Sequence, residues 1–212
     1  MTPYTIQAAS GLSLLCPAFT LSGLCVRESD PALQAEIAAL GADYRARFGE
    51  LEIGEVPGIQ PVRATYRALG LDPTRYRPSS EALLRRVLKG QDLYRVNTLV
   101  DALNLCSLRF LVPFGLYDLD NVKPPVALKL GAAGEGYPGI RKEFINVEGR
   151  YCLADQSGPF GNPSSDSDRT KITLATKQAL VVAFLPQETD SRQMNEITNE
   201  TEKALLKYSS GH

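Results

Sequence analysis

Three short polar side chains recur at helical spacing in the middle of the chain. Asn97, Asp101 and Asn104 stand at positions i, i+4 and i+7, so a helix through this segment would carry all three on one face. Amide and carboxylate groups in this arrangement can line a ligand pocket, or they can bond to the backbone of neighbouring segments. The spacing leaves both interpretations open.

A polar run separates two stretches that predict buried strands. The run GPFGNPSSDSDRTKIT begins at Gly158 and lies between GRYCLAD and TKQALVVAFLP. Its glycines and prolines favour turns, and its hydroxyl, amide and carboxylate groups can contact a ligand. The run is either a solvated turn or the lining of a site. Its candidate substrate-binding residues are Gly161, Asn162, Ser165, Asp166, Ser167 and Thr170.

The stretch VPFGLYDLD, Val112 to Asp120, predicts an apolar turn that ends in carboxylates. Asp118 would brace that turn or, together with Gly115 and Tyr117, belong to a substrate site. We therefore expect a site between the polar run and the segment from Asn97 to Asp118, because these two polar stretches interrupt otherwise apolar elements.

Several kinds of chemistry are excluded by what the chain lacks. Its one histidine is the terminal residue His212, which we expect to be frayed, so a histidine general base or metal ligand is not predicted. The chain has four cysteines but no CxxC pair, which argues against zinc, and it has no P-loop or GxGxxG motif. We expect no metal and no nucleotide cofactor. Hydroxyls, carboxylates, amides and backbone N–H groups would have to act on an already activated substrate.

Composition and charge indicate an ordinary globular protein with one basic segment. The 212 residues are 43% hydrophobic and 22% charged, with a net charge of −1, which predicts one domain over residues 1–212. No charged n-region precedes Arg27 and no apolar run could span a bilayer, so we expect a cytoplasmic protein. Basic residues outnumber acidic ones between Pro61 and Arg95. This segment forms either a solvated helix face or an RNA-binding surface. The candidate RNA-binding residues are Arg63, Arg67, Arg75, Arg77, Arg85 and Arg86.

Periodicity and turn signals predict helices in the first half of the chain and strands in the second. Helices are expected at 31–48 behind an Asp30 cap, at 61–69, from Ser79 or Ser80, at 96–110 and at 191–208. Strands are expected in FTLSGLCVRE, PVALKLG, EFINVEG, GRYCLAD and QALVVAFLP. This order lacks βαβ alternation and indicates an α+β fold.

The run VNTLVDALNLCSLRFLVPFGLYDLD, which starts at Val96, resembles the B3/B4 editing domain of the phenylalanyl-tRNA synthetase beta subunit. Upstream, YRALGLDPTRYRPSSEALLRRVLKG resembles free-standing relatives of that domain, as do PVALKLGAAGEGY and DQSGPFGNPSSDSDRTKIT downstream. The resemblance covers about Val62 to Pro186. It implies a mainly antiparallel, β-sandwich-like core with flanking helices, and no aminoacylating activity, because the catalytic and anticodon-binding parts of a synthetase are not seen.

The resemblance also implies a function. In the synthetase this domain removes tyrosine wrongly attached to the phenylalanine tRNA, so the expected partner is tRNA or aminoacyl-tRNA and the expected activity is hydrolysis of mischarged aminoacyl-tRNA. Gly115 stands at the family's histidine position, Ser167 at its serine, and Ser165 at the glutamate that recognises tyrosine, with Asp166 one position along. The alternative is a non-catalytic module that binds an amino-acid-like small molecule or RNA.

Overall fold

The computed structural model describes residues 2–8, 14–140 and 142–211, so His212 lies outside the described residues. Within these residues the chain forms α-helices α1 Pro31–Phe48, α2 Ile59–Ala68, α3 Ser79–Leu88, α4 Thr98–Phe110 and α5 Ser191–Ser209. Four strands precede α1: β1 Thr2–Tyr4, β2 Gln7–Ala8, β3 Leu14–Leu15 and β4 Ala18–Leu21. The later strands are β5 Phe114–Asp118, β6 Ala127–Leu130, β7 Gly136–Gly139, β8 Lys142–Asn146, β9 Tyr151–Asp155, β10 Gly158–Asn162, β11 Ser165–Asp166, β12 Ala179–Ala183 and β13 Leu185–Pro186.

Helix α1 begins and packs as its sequence dictates. The Asp30 carboxylate accepts hydrogen bonds from the backbone N–H groups of Ala32 and Leu33, which would otherwise lack partners at the helix start. Leu33, Ile37 and Tyr44 are buried on one stripe of the helix. The predicted start, stripe and end of this helix are confirmed.

Two larger sheets form the β core. The first has the order β1-β4-β12-β5 and is antiparallel throughout, with Val181 of β12 between Phe19 and Leu116. The second has the order β11-β10-β9-β6-β2 and is antiparallel except for the β2–β6 pair. Strands β3 with β13, and β7 with β8, form two-stranded sheets.

Strand β12 shows how the layers are stacked, because its side chains alternate between two cores. Ala179 and Val181 pack with residues of the helices, whereas Leu180 and Val182 pack with the second sheet. The first sheet therefore lies between the helices and the second sheet. The α+β class with a mainly antiparallel core and flanking helices is confirmed.

The differences from the predicted elements are local. Helix α2 begins at Ile59 rather than at residue 61, and α4 begins at Thr98 because Asn97 is its N-cap residue. Strand β5 replaces the predicted apolar turn, and β10 and β11 replace most of the predicted polar loop. Those two predictions were wrong. No helix in the described ranges has the length and apolar character to cross a membrane.

Candidate ligand-binding cleft

A cleft of about 430 Å³, called the polar cleft below, opens between α4, β5 and the segment that follows β11. It is lined by Ser79, Val96, Val100, Leu103, Asn104, Ser107, Phe114, Leu116, Ile140, Asp166, Asp168, Lys171 and Ile172. Apolar side chains combined with a small number of polar groups are typical of small-molecule sites.

One face of α4 forms a wall of the cleft. Val100, Leu103, Asn104 and Ser107 are spaced so that they share this face. The helix is held at its start by the Asn97 side-chain oxygen, which accepts the N–H of Val100 at 3.0 Å. The cap and the buried leucines of α4 therefore fix the direction in which Asn104 points.

The polar groups of the cleft differ in the partners that they already have. Ser107 Oγ donates to the Val112 carbonyl at 2.7 Å, and Lys171 Nζ lies 2.7 Å from Asp168 Oδ1. In contrast, no hydrogen bond joins the Asn104 amide to another residue in the described part of the chain. The Asn104 side chain is therefore available to a ligand.

Asp166 is held in place by the β10–β11 hairpin. It pairs with Gly161 across the hairpin, and the Ser167 N–H donates to the Phe160 carbonyl at 2.8 Å. The Asp166 carbonyl accepts the N–H of Ile140 at 3.2 Å, which connects the hairpin to the end of β7. The backbone that carries this carboxylate is therefore bonded on both sides.

Two tyrosines lie near the Asp166 carboxylate. Burial, and then the negative charge of Asp166, raise the pKa of Tyr117 and the pKa of Tyr137, so both phenols stay protonated at neutral pH. Tyr137 Oη donates to the Ser165 carbonyl at 2.7 Å and accepts from Asn162 Nδ2 at 3.0 Å. Asp166 therefore lies between one wall of the cleft and a buried aromatic layer.

The Tyr117 ring requires two glycines. A Cβ atom added at Gly115 would lie 2.2 Å from Tyr117 Oη, and one added at Gly161 would lie at the same distance. Such contacts are far inside van der Waals range, so a side chain at either position would displace the ring. Gly115, Gly161 and Tyr117 thus lie between the two sheets, and none of them lines the polar cleft.

Comparison with known proteins now adds to this geometry. A family model described as the B3/4 domain matches residues 62–208. The chain belongs to the B3/4 domain family. The match reaches α5, beyond the stretch on which the sequence resemblance rested. No curated protein matches the chain.

One solved structure is an N-terminal fragment of the phenylalanyl-tRNA synthetase beta subunit from Pyrococcus horikoshii. It is 20% identical, with a TM-score of 0.43, and the match covers 53% of this chain. It covers 41% of that fragment, so this B3/4 domain spans less than half of the fragment's length.

Three predicted site residues of this B3/4 domain serve its fold instead of its cleft. Asn97 caps α4. Buried Asp101 accepts from Gln34 Nε2 at 2.9 Å and from the Val96 N–H at 3.0 Å, and burial raises its pKa despite these bonds. Asp118 accepts from Thr176 Oγ1 at 2.6 Å. These three side chains bond to neighbouring segments of the fold and do not line the polar cleft.

The predicted residues of the polar run are divided by the hairpin. Asp166 alone among them lines the polar cleft, while Asn162 and Ser165 line a separate pocket on the other side of β11. Ser167 is buried and accepts the Arg169 N–H at 3.2 Å. Thr170 is also buried, and its hydroxyl has no hydrogen-bond partner among the described residues.

Eleven of the thirteen lining residues of the cleft were not predicted from the sequence as site residues: Ser79, Val96, Val100, Leu103, Ser107, Phe114, Leu116, Ile140, Asp168, Lys171 and Ile172. Ser79 and Ile140 come from segments distant in sequence from both polar stretches, and only the tertiary structure brings them there, whereas the other nine lie within or beside those stretches. Asp168 and Lys171 lie in or beside the polar run, where an i, i+3 pair of opposite charges was the available signal.

The predicted RNA-binding arginines differ in their surroundings in three ways. Arg63 donates two hydrogen bonds of 2.7 Å to the buried Glu81 carboxylate, and Arg85 donates to it at 2.8 Å. Arg86 lies 4.1 Å over the Tyr94 ring. Arg67, Arg75 and Arg77 are exposed. We therefore expect Arg63 and Arg85 to be less available to phosphates than the sequence predicts, because their charge is already compensated.

Within the described residues, no three His, Cys, Asp or Glu side chains cluster so that they could hold a metal ion. Cys106 and Cys152 are buried free thiols, as predicted, and burial raises the pKa of each to about 11. Their thiolates are therefore disfavoured at neutral pH.

Proposed function

We propose that this B3/4 domain binds the aminoacyl end of a tRNA in the polar cleft and hydrolyses the ester of a mischarged amino acid. The observation that carries the proposal is the convergence of Asn104 and Asp166, from distant parts of the chain, over an apolar floor that includes Leu103 and Phe114. A cleft of this size and composition fits an amino-acid side chain.

Each part of the cleft has a role in this proposal. The apolar floor takes the carbon skeleton of the side chain, and the Asp166 carboxylate accepts a hydrogen bond from a hydroxyl or from the α-ammonium group. The Asn104 amide donates to the ester carbonyl, where negative charge develops as water attacks. An amino acid that lacks the hydroxyl leaves the carboxylate without that bond, which is the basis of discrimination.

The hydrolytic step needs little beyond position. An aminoacyl ester is already reactive, so a bound water attacks the carbonyl carbon and the bond to the ribose oxygen breaks. The proton of the water passes to that oxygen, and the products are the free amino acid and the tRNA. No histidine assists, because Gly115 occupies the position at which the resembling family has one.

A second candidate is a non-catalytic module that binds an amino-acid-like molecule. The contact between Gly115 and Tyr117 favours it, since a Cβ at Gly115 would lie 2.2 Å from the Tyr117 hydroxyl and a histidine does not fit there. Binding without turnover would follow if the lost side chain were needed for the chemistry.

The test measures deacylation of tyrosyl-tRNA and of other mischarged tRNAs, together with binding of the free amino acids. The variants are Asp166→Asn and Asn104→Ala. Their matched controls are Asp120→Asn and Asn199→Ala, at exposed positions whose side chains make no hydrogen bond or ion pair with another described residue. We expect both cleft variants to lose deacylation while both controls keep it.

Amino-acid binding without deacylation, lost in the cleft variants, would establish the second candidate in place of the first. Wild-type behaviour of both cleft variants in both assays would contradict a ligand site in the polar cleft.

A further inference from the structure

A second pocket of about 330 Å³ lies beside β11, and we call it the aromatic pocket. Its lining consists of Tyr66, Leu71, Tyr76, Phe144, Ile145, Asn146, Arg150, Tyr151, Asn162, Pro163, Ser164 and Ser165. Four aromatic rings and one arginine in a single pocket are unlike the polar cleft, whose apolar lining is mostly aliphatic.

Phe144 is the most exposed ring of this pocket, with 57% of the residue accessible. Its ring lies over Gly136 of the paired strand, where an added Cβ would come within 2.5 Å of the Phe144 Cζ atom. The absence of a side chain at Gly136 lets the ring lie close to the backbone. The ring therefore has support on one side and solvent access on the other.

A tyrosine and a stacked arginine form another part of the pocket, and a second arginine lies beside the same ring. The Arg150 guanidinium lies 4.1 Å from the centre of the Tyr76 ring and donates to Tyr76 Oη at 3.0 Å. The Arg75 guanidinium lies 5.3 Å from the centre of the same ring. Planar guanidinium groups stack on aromatic faces, and two positive charges therefore lie against the Tyr76 ring.

Hydrogen-bonding groups of the pocket are largely occupied by one another. The Asn162 side-chain oxygen accepts the N–H groups of Ser164 and Ser165, and its amide donates to Tyr137 Oη. Ser164 Oγ lies 3.2 Å from Tyr66 Oη and donates to the Arg77 carbonyl at 3.2 Å. The pocket therefore offers mainly ring faces and positive charge, and few free groups that would read the edge of a ligand.

Charge around the pocket favours an anionic ligand. None of the described lining residues carries a carboxylate, and Arg150 carries a positive charge. The exposed Arg67, Arg75 and Arg77 belong to the same chain segments as Tyr66 and Tyr76 of the lining. The short contacts of Glu81 go to Arg63 and Arg85, while Arg77 Nε lies 4.0 Å from its carboxylate.

We infer that the aromatic pocket binds a base of single-stranded RNA by stacking, with the neighbouring phosphates on the exposed arginines. Stacking on aromatic and guanidinium planes accepts any base, which fits the few free hydrogen-bonding groups. Ser165 lines the aromatic pocket and the next residue, Asp166, lines the polar cleft, so both sites border strand β11. The choice of an RNA end rests on the proposed function, because a tRNA end presents an aminoacyl group and unpaired bases together.

The test measures binding of a short, unacylated single-stranded RNA by fluorescence anisotropy, and of AMP and ribose 5-phosphate by calorimetry. The variants are Phe144→Ala and Arg150→Lys. Leu174→Ala and Arg192→Lys are the matched controls, at exposed positions outside both pockets. We expect Phe144→Ala to weaken RNA binding by roughly five- to a hundredfold, the range for one base–aromatic stack.

Arg150→Lys keeps the charge but loses the planar stack on Tyr76, so it should weaken AMP binding more than ribose 5-phosphate binding. The controls should bind as the wild type does. Equal affinity of the wild type for AMP and ribose 5-phosphate would show phosphate binding alone and would overturn the inference, as would unchanged RNA binding in Phe144→Ala.

The two proposals can fail separately. Unacylated RNA contains no aminoacyl group, so its binding does not depend on the polar cleft, and Asp166→Asn should leave it unchanged. If Phe144→Ala left RNA binding unchanged and the protein still deacylated mischarged tRNA, the inference about the aromatic pocket would be wrong and the proposed function would stand. If the protein bound RNA through Phe144 but neither deacylated tRNA nor bound amino acids, the proposed function would be wrong and the inference about the aromatic pocket would stand.

Discussion

Buried polar groups and cleft polar groups of this B3/4 domain are of the same residue types but differ in their partners. Asp101 and Asp118 each accept hydrogen bonds from the fold around them, and Asn97 caps a helix. Asn104, one turn further along the helix than Asp101, has no such bond to a described residue and faces an open cleft. Whether a polar side chain already has hydrogen-bond partners in the fold, more than its type or spacing, therefore separates structural polar groups from candidate site groups.

The largest effect on stability is expected at Glu81, which is 1% exposed and is bonded to Arg63 and Arg85. Glu81→Ala leaves the guanidinium of Arg63, whose side chain is 12% exposed, without its counter-charge. We expect the free energy of unfolding to fall by about 3 kcal/mol, the lower end for a broken buried pair. Urea denaturation checks this, with exposed Glu196→Ala as the control.

The pH dependence of stability should change in the same variant. Burial acts to raise the pKa of Glu81, but hydrogen bonds from Arg63 and Arg85 outweigh it and the pKa is lowered from 4.5. The stabilisation is complete above the unfolded pKa and is lost as pH falls through the lower folded pKa. Between about pH 6 and pH 3 the wild type should therefore lose more stability than Glu81→Ala. Parallel pH curves would contradict this.

The next effect concerns the glycines under the Tyr117 ring. Gly115→Ala should cost about 1–3 kcal/mol, because the new methyl group overlaps a fully buried ring. Tyr117→Phe alone should cost less, because the ring is retained and only the interaction of its hydroxyl with the neighbouring Asp166 carboxylate is lost. The double variant should recover part of the loss but not all of it, because the ring carbons also lie within 3 Å. Strict additivity in this double-mutant cycle would be inconsistent with the contact.

A smaller effect is expected at the helix cap. Asn97→Ala removes the acceptor for the Val100 N–H and should lower the free energy of unfolding by about 1 kcal/mol. Asn97→Ser retains a capping oxygen and should lose less. A ligand-binding defect larger than this stability change would place Asn97 in the site after all.

The smallest effect on stability is expected at Asn104. Asn104→Ala removes no hydrogen bond to a described residue and introduces a better helix former, so the free energy of unfolding should change by no more than about 0.5 kcal/mol. Ligand binding should nevertheless be lost. A large stability loss in thermal or urea denaturation would mean that Asn104 is structural, and the contrast with Asn97 would disappear.

Sequence periodicity predicted the helices well and two strands poorly, for a physical reason. Strand β5 is buried at every position, so its sequence lacks the alternation that identifies a strand with one solvated face. The Gly and Pro residues of β10 are turn formers, yet Gly161 is in that strand because the Tyr117 ring occupies the space above it. A requirement of this kind comes from a residue far away in sequence.

For similar reasons, only part of the lining of the candidate cleft could be predicted from the sequence. The spacing of Asn97, Asp101 and Asn104 placed them on one helix, but the Gln34 side chain that bonds Asp101 is 67 residues away. Likewise, Glu81 binds Arg63 from 18 residues away, so no local pattern marks Arg63 as paired. Asn104 and Asp166 line the same cleft, and these two lining residues could be predicted because both lie in polar stretches of the sequence.

The strand order has a consequence for synthesis on the ribosome. β4 and β5 are joined only through β12, so residues near 20 and near 116 have no common partner until residues 179–183 have left the exit tunnel. Phe114 and Leu116, which line the polar cleft, belong to β5. A nascent chain therefore holds α1 to α4 first and completes the cleft only after β12 has been made, and a truncation before β12 should yield a helical, aggregation-prone product without a ligand site.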